Sequence, residues 1–312
     1  MKPGRLRFTR RFFLKSLAGL GMTAALGPRA VAALAQSPLR KPIPVSGEPL
    51  PVIGMGTSRT FDIGNDPAAL DIRVQVLKAF FEHGGEIIDS SPMYGSAEKV
   101  IGYCLGKTGT ANSLFSATKV WIIGKEFGIR QMRNSEALWG VPRLDLIQIH
   151  NMLNWETHLE TLKSWKEEQR VRYIGITTSH GRRHEKLEEA LTAETFDFVQ
   201  FSYNILDRDV ERRLLPLAAE RNIAVMANRP FRTGELFRYT DGKPLPGWAR
   251  EFNCRNWAQF FLKFVVSHPA VTCAIPATSR ADHMLENMGA GFGPMPDAAM
   301  RARMIRHFGE LV

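Results

Sequence analysis

Four ionisable residues, Asp89, Tyr94, Lys119 and His150, each stand where an apolar run with the pattern of a β-strand gives way to polar sequence: EIIDSSPMYG, SLFSATKV and LDLIQIHN. A carboxylate, a phenol, an ammonium and an imidazole gathered at one mouth form a proton-handling set suited to reduction or oxidation. Each has a plainer explanation when taken singly. A tyrosine beside a glycine packs in a loop, a histidine ending an apolar strand is satisfied in a core, and a lysine at a strand end is solvated. What argues for a site is their occurrence together, at the ends of successive strands.

To aim at one mouth, those strands must run parallel and end on the same side. Strand and helix patterns alternate along the chain from a first strand ending in Gly54 to Thr57. The helical run 67–83 places Leu70, Val74, Leu77, Ala79 and Phe81 near one face before Gly84 and Gly85 stop it, and strand 86–88 follows. Helices are expected over 97–105, 130–138, 156–168, 184–191, 210–220, 257–266 and 281–288. Strands fall between them at 114–117, 144–149, 172–176, 196–201, 224–227 and 271–275. Eight such units predict a (β/α)8 TIM barrel, preceded by a β-hairpin turning at Gly47. The rival is an open doubly wound sheet, which marks its phosphate site with a glycine-rich turn after the first strand. Gly54-Met55-Gly56-Thr57 lacks the third glycine and the helix that should follow it.

The 312 residues carry a net charge of +10, which suggests a polyanion partner until its distribution is considered. Lys2, Arg5, Arg7, Arg10, Arg11, Lys15 and Arg29 give residues 1–35 a charge of +7 with no acid, leaving +3 for the rest. That removes the case for a nucleic-acid binder. The basic start, the short apolar stretch 16–26 and Ala33-Leu34-Ala35 read as a cleaved leader, with cleavage after Ala35. Arg10-Arg11 followed by Phe13, Leu14 and Lys15 resembles the signal read by the twin-arginine export machinery. The expectation is a leader over 1–35 and an exported, periplasmic barrel over 36–312 with no transmembrane anchor. Cys104, Cys254 and Cys273 are too few and scattered for a disulfide framework or a metal site, and no metal is expected.

Over residues 41–290 the chain resembles the aldo-keto reductase family. The carriers are the hairpin with GMGT, the Asp89 to Tyr94 step followed by YGSAEKVIG, Lys119, QIH ending at His150, Gln200 and the late IPATSR with EN. The resemblance implies reduction of a carbonyl to an alcohol with a nicotinamide cofactor. In such a reaction a proton must reach the oxygen as the hydride arrives. A phenol with a pKa of about 10 is a poor acid near neutrality unless an ammonium lowers it. Lys119 is expected to do so for Tyr94, Asp89 to hold the lysine, and His150 to orient the carbonyl.

The resemblance also assigns cofactor contacts to Thr57, Thr177, Thr178, Gln200, Asn228, Arg229, Gly234, Leu236, Pro276, Thr278, Arg280, Glu286 and Asn287. Gln200 would meet the nicotinamide carboxamide, or it is a buried amide tying two loops. Thr177 and Thr178 replace the family's Ser-Asn, and Asn228 replaces an aromatic that stacks on the nicotinamide. With Arg280 as partner for a 2′-phosphate, NADP(H) is favoured over NAD(H). Ser58 and Asn151 stand where many members have tryptophan, with Arg59 beside the first, so the substrate is expected to be polar or anionic. The alternative is an exported cofactor-binding or redox-sensing barrel with little turnover.

Overall fold

The computed structural model describes residues 37–312, so the expected leader and its cleavage after Ala35 lie outside the described residues. Arg40–Pro42 (β1) and Pro49–Pro51 (β2) form the antiparallel hairpin, Lys41 facing Leu50. Gly47 takes a left-handed φ of 75° at its turn, a conformation open to glycine at no steric cost.

Eight parallel strands follow in chain order: Met55–Gly56 (β3), Ile87–Asp89 (β4), Phe115–Val120 (β5), Leu144–Ile149 (β6), Val171–Thr177 (β7), Phe198–Ser202 (β8), Ala224–Asn228 (β9) and Cys273–Ala274 (β10). Bridges from Ile53 to Ala274 and from Gly56 to Ala277 join the last strand to the first and close the barrel. Gly56 permits that seam, because a Cβ there would lie 2.7 Å from the Ile275 carbonyl oxygen. The fold is the (β/α)8 barrel with an N-terminal hairpin.

The outer helices are Pro67–Glu82 (α1), Ala97–Thr108 (α2), Lys125–Trp139 (α3), Trp155–Glu167 (α4), His184–Ala193 (α5), Leu214–Glu220 (α6), Glu235–Thr240 (α7), Trp257–Val266 (α8), Ala281–Gly289 (α9) and Ala298–Gly309 (α10). Local chemistry explains their ends. The Asp66 side chain accepts from the backbone of Ala68 and Ala69 with Pro67 in the first turn, and Asn256 caps α8 by accepting from Gln259.

Several boundaries differ from the sequence reading. The single helix expected over 210–220 is a 3₁₀ turn, Asp209–Glu211, followed by α6. Pro216 has no N–H to offer the carbonyl four residues back, so a helix can hold it only in its first turn. Strand β5 runs through Lys119 to Val120, placing the lysine within the sheet rather than beyond it. Helices α7 and α10 are additional to the eight units. Arg301 of α10 accounts for the second: it donates to the Phe264 carbonyl and to Glu211, and reaches Tyr203 at 2.5 Å.

Strand residues alternate between two cores. Ile88, Ile147, Ile149, Ile174, Val199 and Val225 face the helices, while Ile87, Phe115, Leu146, Tyr173, Phe198 and Ala224 fill the barrel. Ile43 and Leu50 of the hairpin belong to the inner core and form its floor. Lys41 fastens the hairpin by donating to the carbonyls of Val266, His268 and Val271 at 2.6–2.8 Å, and burial pushes its amine down to about 8.

Candidate active site

The pleat that buries Phe115 and Ala117 inside the barrel also points Lys119 inward, two residues further along β5. Asp89 is paired with Ala117 across β4 and β5 and faces it. The Lys119 Nζ to Asp89 Oδ2 distance is 2.6 Å, and both side chains are buried. The other oxygen of Asp89 accepts from Gln148 at 3.0 Å and from Gln200 at 3.1 Å, and Lys119 also donates to the Ser90 carbonyl at 2.7 Å. A buried ion pair persists only when its remaining lone pairs and protons are met, and here they are. Burial works to discharge Lys119, but Asp89, with Tyr94 and Glu98, more than offsets it and holds the ammonium above its ordinary value.

Tyr94 lies on the loop after β4. Its ring is 5.4 Å from Lys119 Nζ and meets the His150 ring edge-on at 5.7 Å. The phenol departs from expectation. Burial raises it, and the opposing pull of Lys119 is not enough to bring it below its ordinary value. His150, just beyond β6, is pushed down to about 3 by burial and then by Lys119, which leaves it a neutral imidazole. The structure thus brings Asp89, Tyr94, Lys119 and His150 together.

The cofactor positions divide into three groups. Thr178 Oγ1 and Asn287 Nδ2 are buried polar atoms with no partner among the described residues, as an incoming ligand with polar edges requires. A dinucleotide therefore fits the donors and acceptors that these positions leave unspent. Other positions are already committed. Gln200 donates to Asp89 and accepts from Asn228 at 3.3 Å, Asn228 donates to the Thr178 carbonyl, and Thr177 accepts the Asn151 N–H. Gln200 thus ties Asp89 to Asn228 in this structure. Thr57 donates to the Asp89 carbonyl at 2.9 Å, and the Pro276 carbonyl accepts from Gly56 at the barrel seam.

The third group lies along the loops after β9 and β10. Arg229 donates to Thr233, Gly234 opens α7 with a φ of 87°, and Thr278 accepts the Arg280 N–H. Arg280 is exposed and paired with Asp282, so a phosphate would have to take the guanidinium from that carboxylate. Glu286 is exposed beside buried Asn287. The Leu236 side chain is fully buried in the core between strands and helices, because α7 turns that face inward.

Among the pocket positions, Ser58 and Arg59 are exposed, and Ser58 lies close enough to the Tyr94 hydroxyl to pull its pKa down. Asn151 adopts a φ of 52° and accepts from Ser179 and Arg183. Sequence reasoning missed Ser91, Gln148 and Trp121. Ser91 Oγ is 2.8 Å from His150 Nδ1, and the Trp121 ring stands 6.4 Å from the imidazole and is 39 % exposed. Gln148 was findable, since it precedes His150 by two residues and shares its strand face. Among the described residues no three His, Cys, Asp or Glu side chains group to hold a metal, and no helix is long and apolar enough to cross a membrane.

Residues 52–303 match the model of the Aldo/keto reductase family. The chain is 27 % identical over 256 residues to methylglyoxal reductase YeaE of Escherichia coli, covering 80 % of this chain and 88 % of that protein. An NADH-specific methylglyoxal reductase from the same organism is 27 % identical over 244 residues, covering 67 % and 73 %. Among solved structures, an aldo/keto reductase from Klebsiella pneumoniae in complex with NADP and acetate superposes with a TM-score of 0.70 at 25 % identity, covering 84 % of this chain and 93 % of that one.

Proposed function

The chain belongs to the aldo/keto reductase family, and from that membership we propose that it reduces a small, polar carbonyl compound to an alcohol, using a reduced nicotinamide. The observation that carries the proposal is the buried Asp89–Lys119 pair with the Tyr94 and His150 rings set beside it. The cofactor, when bound, supplies the hydride. Tyr94 holds a proton at neutral pH and passes it to the carbonyl oxygen. Lys119, kept charged by Asp89, stabilises the phenolate left behind. His150, being neutral, donates a hydrogen bond that orients the carbonyl.

Thr178 and Asn287 would hold the cofactor through their unspent polar atoms, with Thr278 and Arg280 at the start of α9 for its phosphates. NADP(H) is the favoured form, and NAD(H) is the second. The NADP-bound relative supports the first, and the relative named NADH-specific supports the second. A polar or anionic substrate is supported by a cationic rim. The His180 ring is pushed down by burial and then by the charges of Arg229, Arg182 and Arg59, while nearby Asp207 is taken up by Arg232. Methylglyoxal, a small dicarbonyl, and oxo acids of similar size suit this mouth.

Residues 1–35 are proposed as a twin-arginine leader and 36–312 as the exported, periplasmic barrel, loaded with cofactor before export. Amino-terminal sequencing of periplasmic protein should begin at Gln36, and replacing Arg10 and Arg11 by lysine should retain the protein in the cytoplasm. For the reaction, the reduced-nicotinamide absorbance is followed with NADPH or NADH across methylglyoxal, oxo acids and apolar aromatic carbonyls. Turnover restricted to apolar aromatics would sink the substrate proposal. Tight cofactor binding with no turnover on any carbonyl would favour a binding or redox-sensing barrel.

A further inference from the structure

Ser91 makes the only hydrogen bond that the His150 ring has among the described residues. Both residues are buried, at 0 % and 5 % exposure. A neutral imidazole carries one N–H, which sits on either Nδ1 or Nε2. Which nitrogen carries it decides whether His150 presents a donor or an acceptor to a carbonyl oxygen.

Counting donors and acceptors at Ser91 resolves the choice. A serine hydroxyl has one proton to donate and two lone pairs. One lone pair is already taken by the Met93 backbone N–H, which reaches Ser91 Oγ at 3.2 Å. If Nδ1 held the proton, it would use the second lone pair. The serine O–H would then have no acceptor among the described residues, at a position closed to solvent. With the proton on Nε2, the Ser91 O–H donates to bare Nδ1, so that Ser91 and Nδ1 are both satisfied and the Nε2–H is left for a ligand at the mouth.

We infer that Ser91 is a positioning residue that selects the Nε2–H tautomer of His150, turning the ring's free edge into a hydrogen-bond donor between the Tyr94 and Trp121 rings. The two flanking rings, at 5.7 and 6.4 Å, limit the ring's freedom to turn over. Neither the Asp89–Lys119 pair nor Tyr94 touches Nδ1, so Ser91 sets the tautomer alone. The consequence for catalysis rests on the proposed reading of His150 as the group facing the carbonyl oxygen; the tautomer itself does not.

The test is nitrogen NMR of the full chain with labelled histidine at neutral pH, the His150 signals being assigned by their loss in His150→Gln. The expected spectrum shows protonated Nε2 and unprotonated Nδ1. Ser91→Ala should mix the tautomers and lower kcat by about 10- to 10²-fold, short of outright loss of a donor, with cofactor Kd unchanged. Ser91→Thr should restore both readouts. A proton on Nδ1 in the unsubstituted protein overturns the inference, as does a Ser91→Ala spectrum that keeps the Nε2–H form. The unsubstituted spectrum decides even if the alanine variant does not fold. The expected tautomer without turnover on any carbonyl would reject the functional reading and leave the role of Ser91 standing.

Discussion

The floor and the mouth of the barrel are built from the same strands with the same alternation, yet their contents are opposite. At the floor, Phe115, Tyr173 and Phe198 pack against one another with centroids 5.6–6.0 Å apart, and Ile43 and Leu50 seal them from below. Two to four residues further along those strands or their neighbours, the inward positions are Lys119, Gln148, Gln200 and Asn228. Strand β8 shows the change most plainly, passing from Phe198 to Gln200 to Ser202 on one face. The pleat chooses which residues enter the barrel, and height along the strand chooses their chemistry. Apolar packing is concentrated below and polar, ionisable side chains above, in one continuous interior.

Substitutions at the two levels should separate these properties. The largest effect is expected where they meet. Lys119→Met leaves Asp89 buried without its counter-charge, at a cost of about 3–5 kcal/mol in denaturant unfolding, and it should also lower carbonyl reduction by about 10²- to 10⁴-fold. Retention of either property would show that the buried pair is not what joins the halves. Tyr94→Phe, wholly at the mouth, should lose about 10²- to 10⁴-fold in rate with an unchanged denaturation midpoint and cofactor Kd. An undiminished rate would reject Tyr94 as the acid.

Phe198→Ala tests the floor in isolation. It should cost about 3–5 kcal/mol of stability while the rate per folded molecule stays as it was. Smaller again is Glu48→Gln at the hairpin, where the carboxylate accepts from Tyr173 at 2.7 Å and from Arg172. Its partial exposure limits the loss to about 1 kcal/mol. The smallest effect is a matter of pH. With Tyr94 as the proposed acid, reduction needs it protonated, and burial, winning over Lys119, holds its pKa above the ordinary phenol value. The rate should therefore hold level past a pH of about 10 and fall only above it. A decline already under way near neutrality would mean that the mouth is wetter than the floor and that the ammonium prevails.

Much of this arrangement is legible in the sequence. The barrel was readable because its helices and strands carry strong periodicities between clear stops, and α8 lies over 257–266 as those patterns indicate. Asp89, Tyr94, Lys119 and His150 were visible as polar breaks at the ends of apolar runs. The direction of the Tyr94 shift was not, because burial is a property of the assembled loops. Ser90 and Ser91 are simply two serines in succession after Asp89. Only the fold shows that Ser90 lends its carbonyl to Lys119 while Ser91 faces His150 from 59 residues away. The burial of the Leu236 side chain is hidden for the same reason, since a six-residue helix has too little periodicity to reveal which face it buries.

The hairpin's fastening has a consequence for the order of events during synthesis. Lys41 lies among the first described residues, and its three carbonyl acceptors belong to Val266, His268 and Val271. A ribosome must extend the chain by 230 residues beyond Lys41 before the third acceptor exists. Until then the barrel has neither its closing strand nor a fastened floor, and its inner aromatics have no lid. The three bonds of Lys41 can therefore secure the beginning of the domain only once its end has been made.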